Sequence, residues 1–409
     1  MITAGTLLTL DVEKPAAGGR MLARHAGQVL LVAAAIPGER VSARVERVGK
    51  GVAFATVEAV LTASPDRRAG AGDWRCGGNV LSHVEYPRQL LLKGQIIQDA
   101  FTRIGGLPLG APPAVAGSPE HGYRMRARLH VQGGRIGFFR EGTHELCDPA
   151  ATGQLLPDTI SWLADLARLL RDGKAARPDL HGPAIAAIEI AENIPADQRA
   201  VHIELQPGAD RSAVASLAGP TTISDSIRVS DSATLTLQRD VRAFFQGNRF
   251  LLEPLVQRVL SLIRTDRIVD LYAGVGLFGL AAAAAGAADV MLVEGDPISG
   301  ADLVTNATPF SQGVQVRRDS VERFLVSTRK HESSTTFIVD PPRTGMTREA
   351  LAGMLRHEPH RIVYISCDVA TLARDARTLV DAGYELAEIT GIDLFPNTAH
   401  VETVCVFSR

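Results

Sequence analysis

Residues 267–279 read RIVDLYAGVGLFG, a short apolar run that leads directly into a glycine-rich turn. The mostly apolar residues 267–271 predict a buried strand, and the alanine-rich stretch after Gly279 predicts a helix. A Gly-x-Gly-x-x-Gly turn between a strand and a helix lets the backbone approach a ligand at the N-terminus of the helix. The stretch therefore predicts a nucleotide-binding unit of a parallel α/β sheet.

Alternating helix and strand patterns continue on both sides of this turn. We predict helices over residues 251–263, 348–355 and 370–382, and strands over residues 289–294, 336–339 and 361–366. This alternation is typical of a doubly wound parallel sheet. The predicted fold class is therefore α/β, with a Rossmann-like domain over residues 241–409.

The N-terminal part of the chain has a different pattern. Short β-branched runs alternate with glycine-containing turns, which predicts a small OB-like β-barrel over residues 1–62. The polar stretch SPDRRAGAG at 64–72 indicates a boundary. We expect residues 63–240 to form a β-rich central α+β domain, with a helix near 87–104 that packs on the C-terminal domain.

Composition limits the partners and compartments that the chain can have. Lysine and arginine total 43 against 45 aspartate and glutamate, so a nucleic-acid site must be a local basic patch rather than a global field. The N-terminus has no basic residue before its apolar ones, and no apolar stretch reaches the length of a bilayer span. The four cysteines lie far apart, which indicates a reducing compartment. We therefore expect a cytoplasmic protein without a membrane segment, with a monomer as the default state.

Carboxylates follow the strands around the glycine-rich turn. Glu294 ends the next strand, where such folds place an acid on the ribose hydroxyls of NAD or of S-adenosylmethionine. Asp270 directly precedes the turn, and the tetrapeptide DPPR at 340–343 follows the strand 336–339. A cationic sulfonium needs such carboxylates, whereas a pyrophosphate needs the helix dipole, so the pattern favours S-adenosylmethionine.

The strand 361–366 delivers Cys367 to the same sheet edge. A lone cysteine is usually an inert buried side chain, but its position beside the predicted cofactor loop makes Cys367 a candidate nucleophile. The chain closes with DLFPNTAHVETV at 393–404, which contains His400 and Glu402. We expect His400 to be an ordinary histidine without a role at the site.

Five motifs together resemble the RNA uracil-5-methyltransferase family. The order and spacing of that family are shared by FFQGN (244–248), DLYAGVGLFGL (270–280), DPPR, SCD (366–368) and DLFPNTAHVETV. The resemblance covers the whole C-terminal part and, less sharply, YRMRARLHV and GFFREGTHEL upstream. The N-terminal motifs GRMLARHAG and IPGERV also resemble the TRAM domain, an OB-like barrel of several RNA-modifying enzymes.

The resemblance implies an enzyme that methylates carbon-5 of a uridine in structured RNA. It implies that the Cys367 thiolate adds to carbon-6, which makes carbon-5 nucleophilic enough to take a methyl group, and that Glu402 then removes the carbon-5 proton. It assigns binding of the S-adenosylmethionine donor to Gln246, Tyr272, Glu294 and Asp340. Gly274 and Gly276 of the turn complete this predicted set.

A row of arginines is the predicted RNA contact. Arg124, Arg126 and Arg128 alternate along a predicted strand and project to one face, where they either grip phosphates or keep the sheet face solvated. The resemblance favours RNA contact. Arg343 either contacts the substrate or braces its loop, and both interpretations stay open. The target uridine should be flipped out of a helix or lie in a loop.

Many members of the family hold an iron–sulfur cluster through four cysteines. Only Cys76 of that set is present, because the matching positions hold Gly70, Asn79 and Thr152. Cys147 lies nearby, but two thiolates are too few for a cluster. We therefore predict no iron–sulfur cluster and no other metal.

Several alternatives stay open. The resemblance favours 23S ribosomal RNA over transfer RNA as the substrate, because the transfer-RNA members of the family in bacteria often lack the barrel. A cytosine-5 methyltransferase would carry a Pro-Cys element in the loop that reads DPPR here. A nicotinamide-dependent oxidoreductase uses the same glycine-rich turn, and a non-catalytic RNA-binding protein needs only the barrel and the basic strand.

Overall fold

A closed five-stranded barrel forms the N-terminal part of the computed structural model, which describes residues 2–69, 72–176, 185–209, 219–330 and 334–409. Its strands follow the order β1-β2-β3-β5-β4 and span Leu7–Pro15 (β1), Met21–His25 (β2), Gln28–Ala33 (β3), Arg40–Val48 (β4) and Val52–Thr62 (β5). Alternate side chains such as Leu10, Val12 and Val41 fill the interior, because successive residues of a strand point to opposite faces. The predicted small barrel is confirmed.

A helix and a short strand connect the barrel to the rest of the chain. Helix α1 (Tyr86–Arg103) packs Ile96, Ile97 and Phe101 on the C-terminal sheet, and strand β6 (Val115–Ala116) joins the edge of that sheet. Residues 86–116 therefore precede the central sheet in sequence but pack with the C-terminal one.

The central sheet is antiparallel and has the strand order β11-β10-β7-β8-β9. Its strands are β7 (Arg126–Gln132), β8 (Arg135–Phe139), β9 (Leu146–Cys147), β10 (Ile185–Glu192) and β11 (Arg199–Leu205). Helix α2 (Pro157–Ala176) packs on this sheet through Leu163 and Leu166. A two-stranded ribbon, β12 (Thr222–Arg228) and β13 (Thr234–Asp240), leads into the C-terminal part.

The C-terminal sheet has eight strands in the order β16-β15-β14-β17-β18-β20-β19-β6. They include β14 (Arg267–Leu271), β15 (Asp289–Val293), β16 (Val314–Arg317), β17 (Thr335–Val339), β18 (Arg361–Ser366), β19 (Glu385–Ile392) and β20 (Glu402–Ser408). Strands β14 to β18 run parallel, whereas β20 runs antiparallel between β18 and β19.

Helices cover both faces of this sheet. One face packs against α3 (Leu252–Leu262), α4 (Leu277–Ala284) and α5 (Pro297–Ala307). The other face packs against α1, α6 (Val321–Ser327), α7 (Arg348–Arg356) and α8 (Val369–Asp381). The predicted doubly wound α/β fold is confirmed. Within the described ranges, none of the helices is long and apolar enough to cross a membrane.

Candidate active site

The candidate site lies at the edge of the C-terminal sheet where its parallel strands end. Strands β17 and β18 run parallel, so Asp340 and Cys367, which follow them, reach the same edge. Strand β20 runs in the opposite direction and begins there, with Thr403 paired to Ser366. Glu402, the first residue of β20, therefore lies opposite the position of Cys367.

Backbone geometry explains the glycines of the turn after β14. Gly274 and Gly276 have φ angles of 58° and 102°, in the left-handed region that favours glycine. A Cβ at Gly276 would lie 2.4 Å from Leu280 Cδ1 of α4. Tyr272 also has a positive φ, of 62°, a conformation that is costly for an aromatic residue and recurs at functional sites.

Two carboxylates hold this turn through backbone amides. Gly279 N donates to Asp270 Oδ2 over 2.8 Å, and Gly274 N donates to Glu294 Oε2 over 2.7 Å. Burial, together with the charges of Asp340 and Glu294, raises the pKa of Asp270 to about 8. Burial also raises the pKa of Glu294. Among the described residues, Asp270 Oδ1 has no hydrogen-bond partner.

Gln246 reaches the same edge from the segment between β13 and α3. Its Nε2 atom donates to Asp340 Oδ2 over 3.3 Å. Burial raises the pKa of Asp340 to about 7, and the hydrogen bond from Gln246 opposes this shift. A cationic ligand at this point would favour the ionised form of Asp340.

Cys367, Glu402 and Arg343 interact directly through their charges. Burial and the charge of Glu402 raise the pKa of the Cys367 thiol to about 11, while Arg343 opposes the shift. Burial and the charge of Asp340 raise the pKa of Glu402 well above its ordinary value. Glu402 is only 2% exposed, and its Oε1 atom has no hydrogen-bond partner among the described residues. A thiol and a weakly acidic carboxyl group thus interact through their charges at the sheet edge.

Two parts of the chain match known protein families. A family described as tRNA (Uracil-5-)-methyltransferase matches residues 303–409, and the TRAM domain matches residues 3–57. The 23S rRNA (uracil(1939)-C(5))-methyltransferase RlmD of Pectobacterium atrosepticum is 29% identical over 98% of this chain and 93% of its own length. The RlmD of Pseudomonas putida is 28% identical over 99% of this chain and 94% of its own length.

The chain is thus similar over nearly its whole length to RNA uracil-5-methyltransferases, and residues 303–409 match the model of that family. The fold agrees with that of a solved structure, the tRNA (uracil-54, C5)-methyltransferase of Pyrococcus abyssi in complex with S-adenosyl-L-homocysteine. That structure aligns with a TM-score of 0.73 at 24% identity, over 97% of this chain and 99% of the neighbour.

The charges at the sheet edge fit the methyl donor of this family. Four buried or half-buried carboxyl groups, those of Asp270, Glu294, Asp340 and Glu402, interact within the site, and each has a raised pKa. Such a cluster is stabilised by a cation such as the sulfonium and ammonium groups of S-adenosylmethionine, and destabilised by an anionic pyrophosphate. The site therefore disfavours the nicotinamide alternative.

Cys76, the one cysteine of the family's iron–sulfur motif that is present, and the nearby Cys147 do not fit an iron–sulfur cluster. Cys76 and Cys147 form a disulfide with a Cα–Cα distance of 5.8 Å, a pairing that the wide spacing of the cysteines does not predict. Asn79 and Thr152 stand at two further motif positions, and Gly70 lies outside the described residues. Elsewhere in the described ranges, no group of three or more His, Cys, Asp or Glu side chains is arranged to hold a metal.

The arginine row is partly neutralised by neighbouring strands. Arg126 forms an ion pair with Glu189 of β10 at 3.6 Å, and Arg128 with Glu204 of β11 at 2.5 Å. Arg124 lies before β7, where its side chain donates to Gln154 Oε1 and to the carbonyl oxygen of Arg126. It has no carboxylate partner among the described residues, and burial lowers its pKa, with Arg126 and Arg343 adding to the effect. The three arginines therefore differ in how much charge they can offer to a ligand.

Sequence reasoning missed three polar residues beside the site. Gln89 and Lys93 of α1 and Asp393 after β19 are fully buried. A sequence signal existed, because Gln89 and Lys93 are four residues apart and share the buried face of α1 with Leu92 and Ile96. Polar residues in an apolar helix stripe indicate buried partners.

The raised pKa of Cys367 predicts that alkylation of this thiol depends on pH. In the protein without ligands, iodoacetamide should alkylate Cys367 at a rate that rises about tenfold per pH unit from pH 7 to 10, because the thiolate fraction keeps rising below a pKa of about 11. Arg343→Met should slow alkylation at each pH, since Arg343 favours the thiolate. Peptide mass spectrometry measures the modification of each cysteine.

Cys405 provides the internal control for this measurement. It is fully buried in β20 and should stay unmodified while the protein is folded. A rate for Cys367 that levels off near pH 7 would contradict the prediction.

Proposed function

We propose that this enzyme transfers a methyl group from S-adenosylmethionine to carbon-5 of a uridine in structured RNA through a covalent Cys367 adduct. One observation carries the proposal. Cys367 follows β18 and Glu402 begins the neighbouring strand β20, so the two residues lie at the same sheet edge and interact through their charges, beside Asp340 and Gln246. Within the proposal, Gln246, Tyr272, Gly274, Gly276, Glu294 and Asp340 form the donor site.

Cys367 is the proposed nucleophile. Bound S-adenosylmethionine would supply an electrophilic methyl group, which carbon-5 of uracil is too electron-poor to accept unaided. Addition of the Cys367 thiolate to carbon-6 moves the electron pair of the carbon-5 to carbon-6 double bond into an enolate, so that carbon-5 can take the methyl group. Arg343 supports thiolate formation, since its charge lowers the pKa of Cys367.

Glu402 is the proposed general base. After methylation, carbon-5 carries one proton too many, and Glu402 removes it. The electron pair of the carbon–hydrogen bond re-forms the double bond between carbon-5 and carbon-6, and the carbon–sulfur bond breaks to release Cys367 as a thiolate. The raised pKa of Glu402 supports this role, because a more basic carboxylate accepts a proton more readily.

The RNA must deliver its base to a half-buried sulfur atom. A uridine inside a helix cannot reach Cys367, so we infer that the target is flipped out or lies in a loop. The uncompensated charge of Arg124 supports a contact with the phosphate of the target nucleotide, and Arg126, Arg128 and Arg343 complete the proposed RNA contacts.

We further propose 23S ribosomal RNA as the substrate. The TRAM match and the likeness to RlmD over nearly the whole chain support this choice over transfer RNA. A ribosomal substrate implies action in the cytoplasm, and we propose a monomer with a barrel over 1–62, a central domain over 63–240 and a methyltransferase domain over 241–409.

Trapping with 5-fluorouridine tests the proposed mechanism. Large-subunit ribosomal RNA transcribed with 5-fluorouridine should form an SDS-resistant complex in the presence of the donor, because fluorine cannot leave carbon-5 as a proton. Cys367→Ala should abolish both this complex and methyl transfer to ordinary RNA. Denaturing gels and a radiolabelled donor give the two measurements.

The other free cysteine gives a matched control. Cys405→Ala removes a buried thiol one strand away and should keep complex formation at the level of the unmodified enzyme. Methyl transfer by Cys367→Ala at the normal rate would refute the covalent mechanism, and 5-methylcytidine instead of 5-methyluridine in the product would refute the choice of base.

The arginine contacts predict different effects on RNA affinity. Arg124→Met should weaken binding and reduce the slope of log affinity against log salt by about one, because one phosphate contact is lost. Arg128→Met is the matched control and should change the slope less, since Glu204 already pairs with Arg128. Filter binding at several salt concentrations measures both, and equal slopes for the two variants would contradict the assignment of Arg124.

A further inference from the structure

Helix α1 carries a lysine in the middle of its buried face. Lys93 is fully buried, as are its neighbours Leu92, which packs in the core of the barrel, and Ile97, which packs on the C-terminal sheet. Burial lowers the pKa of Lys93, and the charge of Asp393 opposes that shift. A buried ammonium group costs free energy unless it is paired. The partners of Lys93 therefore indicate which part of the structure it stabilises.

The partners of Lys93 belong to one loop. Lys93 Nζ donates to the carboxylate of Asp393 and to the carbonyl oxygen of Phe395, the latter over 3.0 Å. The same carboxylate accepts from Phe395 N over 3.2 Å. The hydroxyl of Tyr86, one turn of α1 before Gln89, also interacts with the charge of Asp393. One end of the loop is therefore fixed by α1.

Gln89 fixes the next part of the same loop. Gln89 Nε2 donates to Asn397 Oδ1 over 2.8 Å, and Asn397 N donates to Gln89 Oε1 over 2.9 Å. Asn397 has a φ of 63°, so a specific backbone conformation is held by these bonds. Leu81 N adds a bond to the carbonyl oxygen of Asn397 over 2.8 Å.

This loop connects β19 to the residue that we propose as the base. It begins at Asp393, directly after β19, and Glu402 opens β20 five residues after Asn397. The ring of Phe395 also lies beside Gly247, where a Cβ would be 3.5 Å from Phe395 Cε1, next to Gln246. A shift of the loop would therefore move Glu402 relative to the sheet edge.

We propose that Lys93 and Gln89 are positioning residues, which hold the segment Asp393 to Asn397 so that Glu402 faces the carbon-5 proton of the covalent adduct. The inference rests on the proposed function. A buried ion pair is weak evidence of stabilisation, but it can select one conformation because the alternatives leave a charge unpaired. Neither residue needs to touch the RNA or the donor.

One step of the reaction depends most on this positioning. Removal of the carbon-5 proton by Glu402 re-forms the carbon-5 to carbon-6 double bond and expels the Cys367 thiolate. Cys367 itself lies on a separate loop, between β18 and α8. Asp368 caps the N-terminus of α8, because its side chain accepts hydrogen bonds from Ala370 N and Thr371 N. Displacement of Glu402 alone therefore leaves addition and methylation possible and delays release of the product.

The experiment uses three variants of the full-length enzyme. Lys93→Met leaves Asp393 buried without its cation, so it is paired with the double variant Lys93→Met/Asp393→Asn, which removes both charges. Gln89→Leu breaks the bonds to Asn397 without leaving a buried charge. Lys14→Met is the matched control, because Lys14 also pairs with α1, through Asp99, but on its exposed side.

Single-turnover reactions with unmodified RNA and a donor radiolabelled in its methyl group give the readout. In the double variant and in Gln89→Leu we expect the methylated SDS-resistant complex to accumulate, with release of free methylated RNA slowed about ten- to hundredfold, the usual effect of a misplaced catalytic group. Formation of the complex with 5-fluorouridine RNA should stay within about twofold of the unmodified enzyme, as should all rates of Lys14→Met.

Two results would overturn the inference. One is a loss of methyl transfer in proportion to the folded fraction with no accumulation of the complex, which indicates a structural role only. The other is release of free methylated RNA at the normal rate by folded Gln89→Leu. This result alone would refute the inference even if both Lys93 variants fail to fold. Failure of the unmodified enzyme to form any complex with 5-fluorouridine RNA would instead refute the proposed function itself.

Discussion

The burial of carboxyl groups at one sheet edge is the constraint on which the rest of the site depends. Asp270, Asp340 and Glu402 lie where water is largely excluded, and desolvation is the first cause of the raised pKa of each. Among these three groups, the charge of Arg343 opposes the shift at Glu402. A cationic donor satisfies this site, which links the choice of ligand to the electrostatics of the fold rather than to the glycine-rich turn alone.

Strand direction brings the two proposed chemical residues together. In a sheet of parallel strands, only residues after the strands meet at the carboxyl edge. Strand β20 is antiparallel to β18, so its first residue, Glu402, reaches that edge from the opposite direction and lies opposite the position of Cys367. The loop that leads into β20 is fixed from outside the sheet by α1. The segment that precedes the central sheet is thereby part of the geometry of the site.

The parts of the fold with strong local signals could be predicted from sequence. The strand predicted over 361–366 has the same bounds as β18, and the helix predicted over 251–263 differs from α3 by one residue at each end. Contacts between distant residues could not be predicted. Lys93 and Asp393 are 300 residues apart, and the Cys76–Cys147 disulfide spans 71. The cross-strand carboxylates that neutralise Arg126 and Arg128 likewise depend on the order of strands in the sheet, which the row of arginines does not encode.

Glu402→Gln provides the most direct test that Cys367 and Glu402 act on the same uracil ring. This change keeps the size of the side chain but removes the base, so natural RNA and donor should give an enzyme that stops after methylation. Nuclease and protease digestion followed by tandem mass spectrometry should find Cys367 bonded to a uridine nucleotide that carries the extra methyl group. Turnover by Glu402→Gln at the normal rate, or a methylated nucleotide attached to any other residue, would contradict the account.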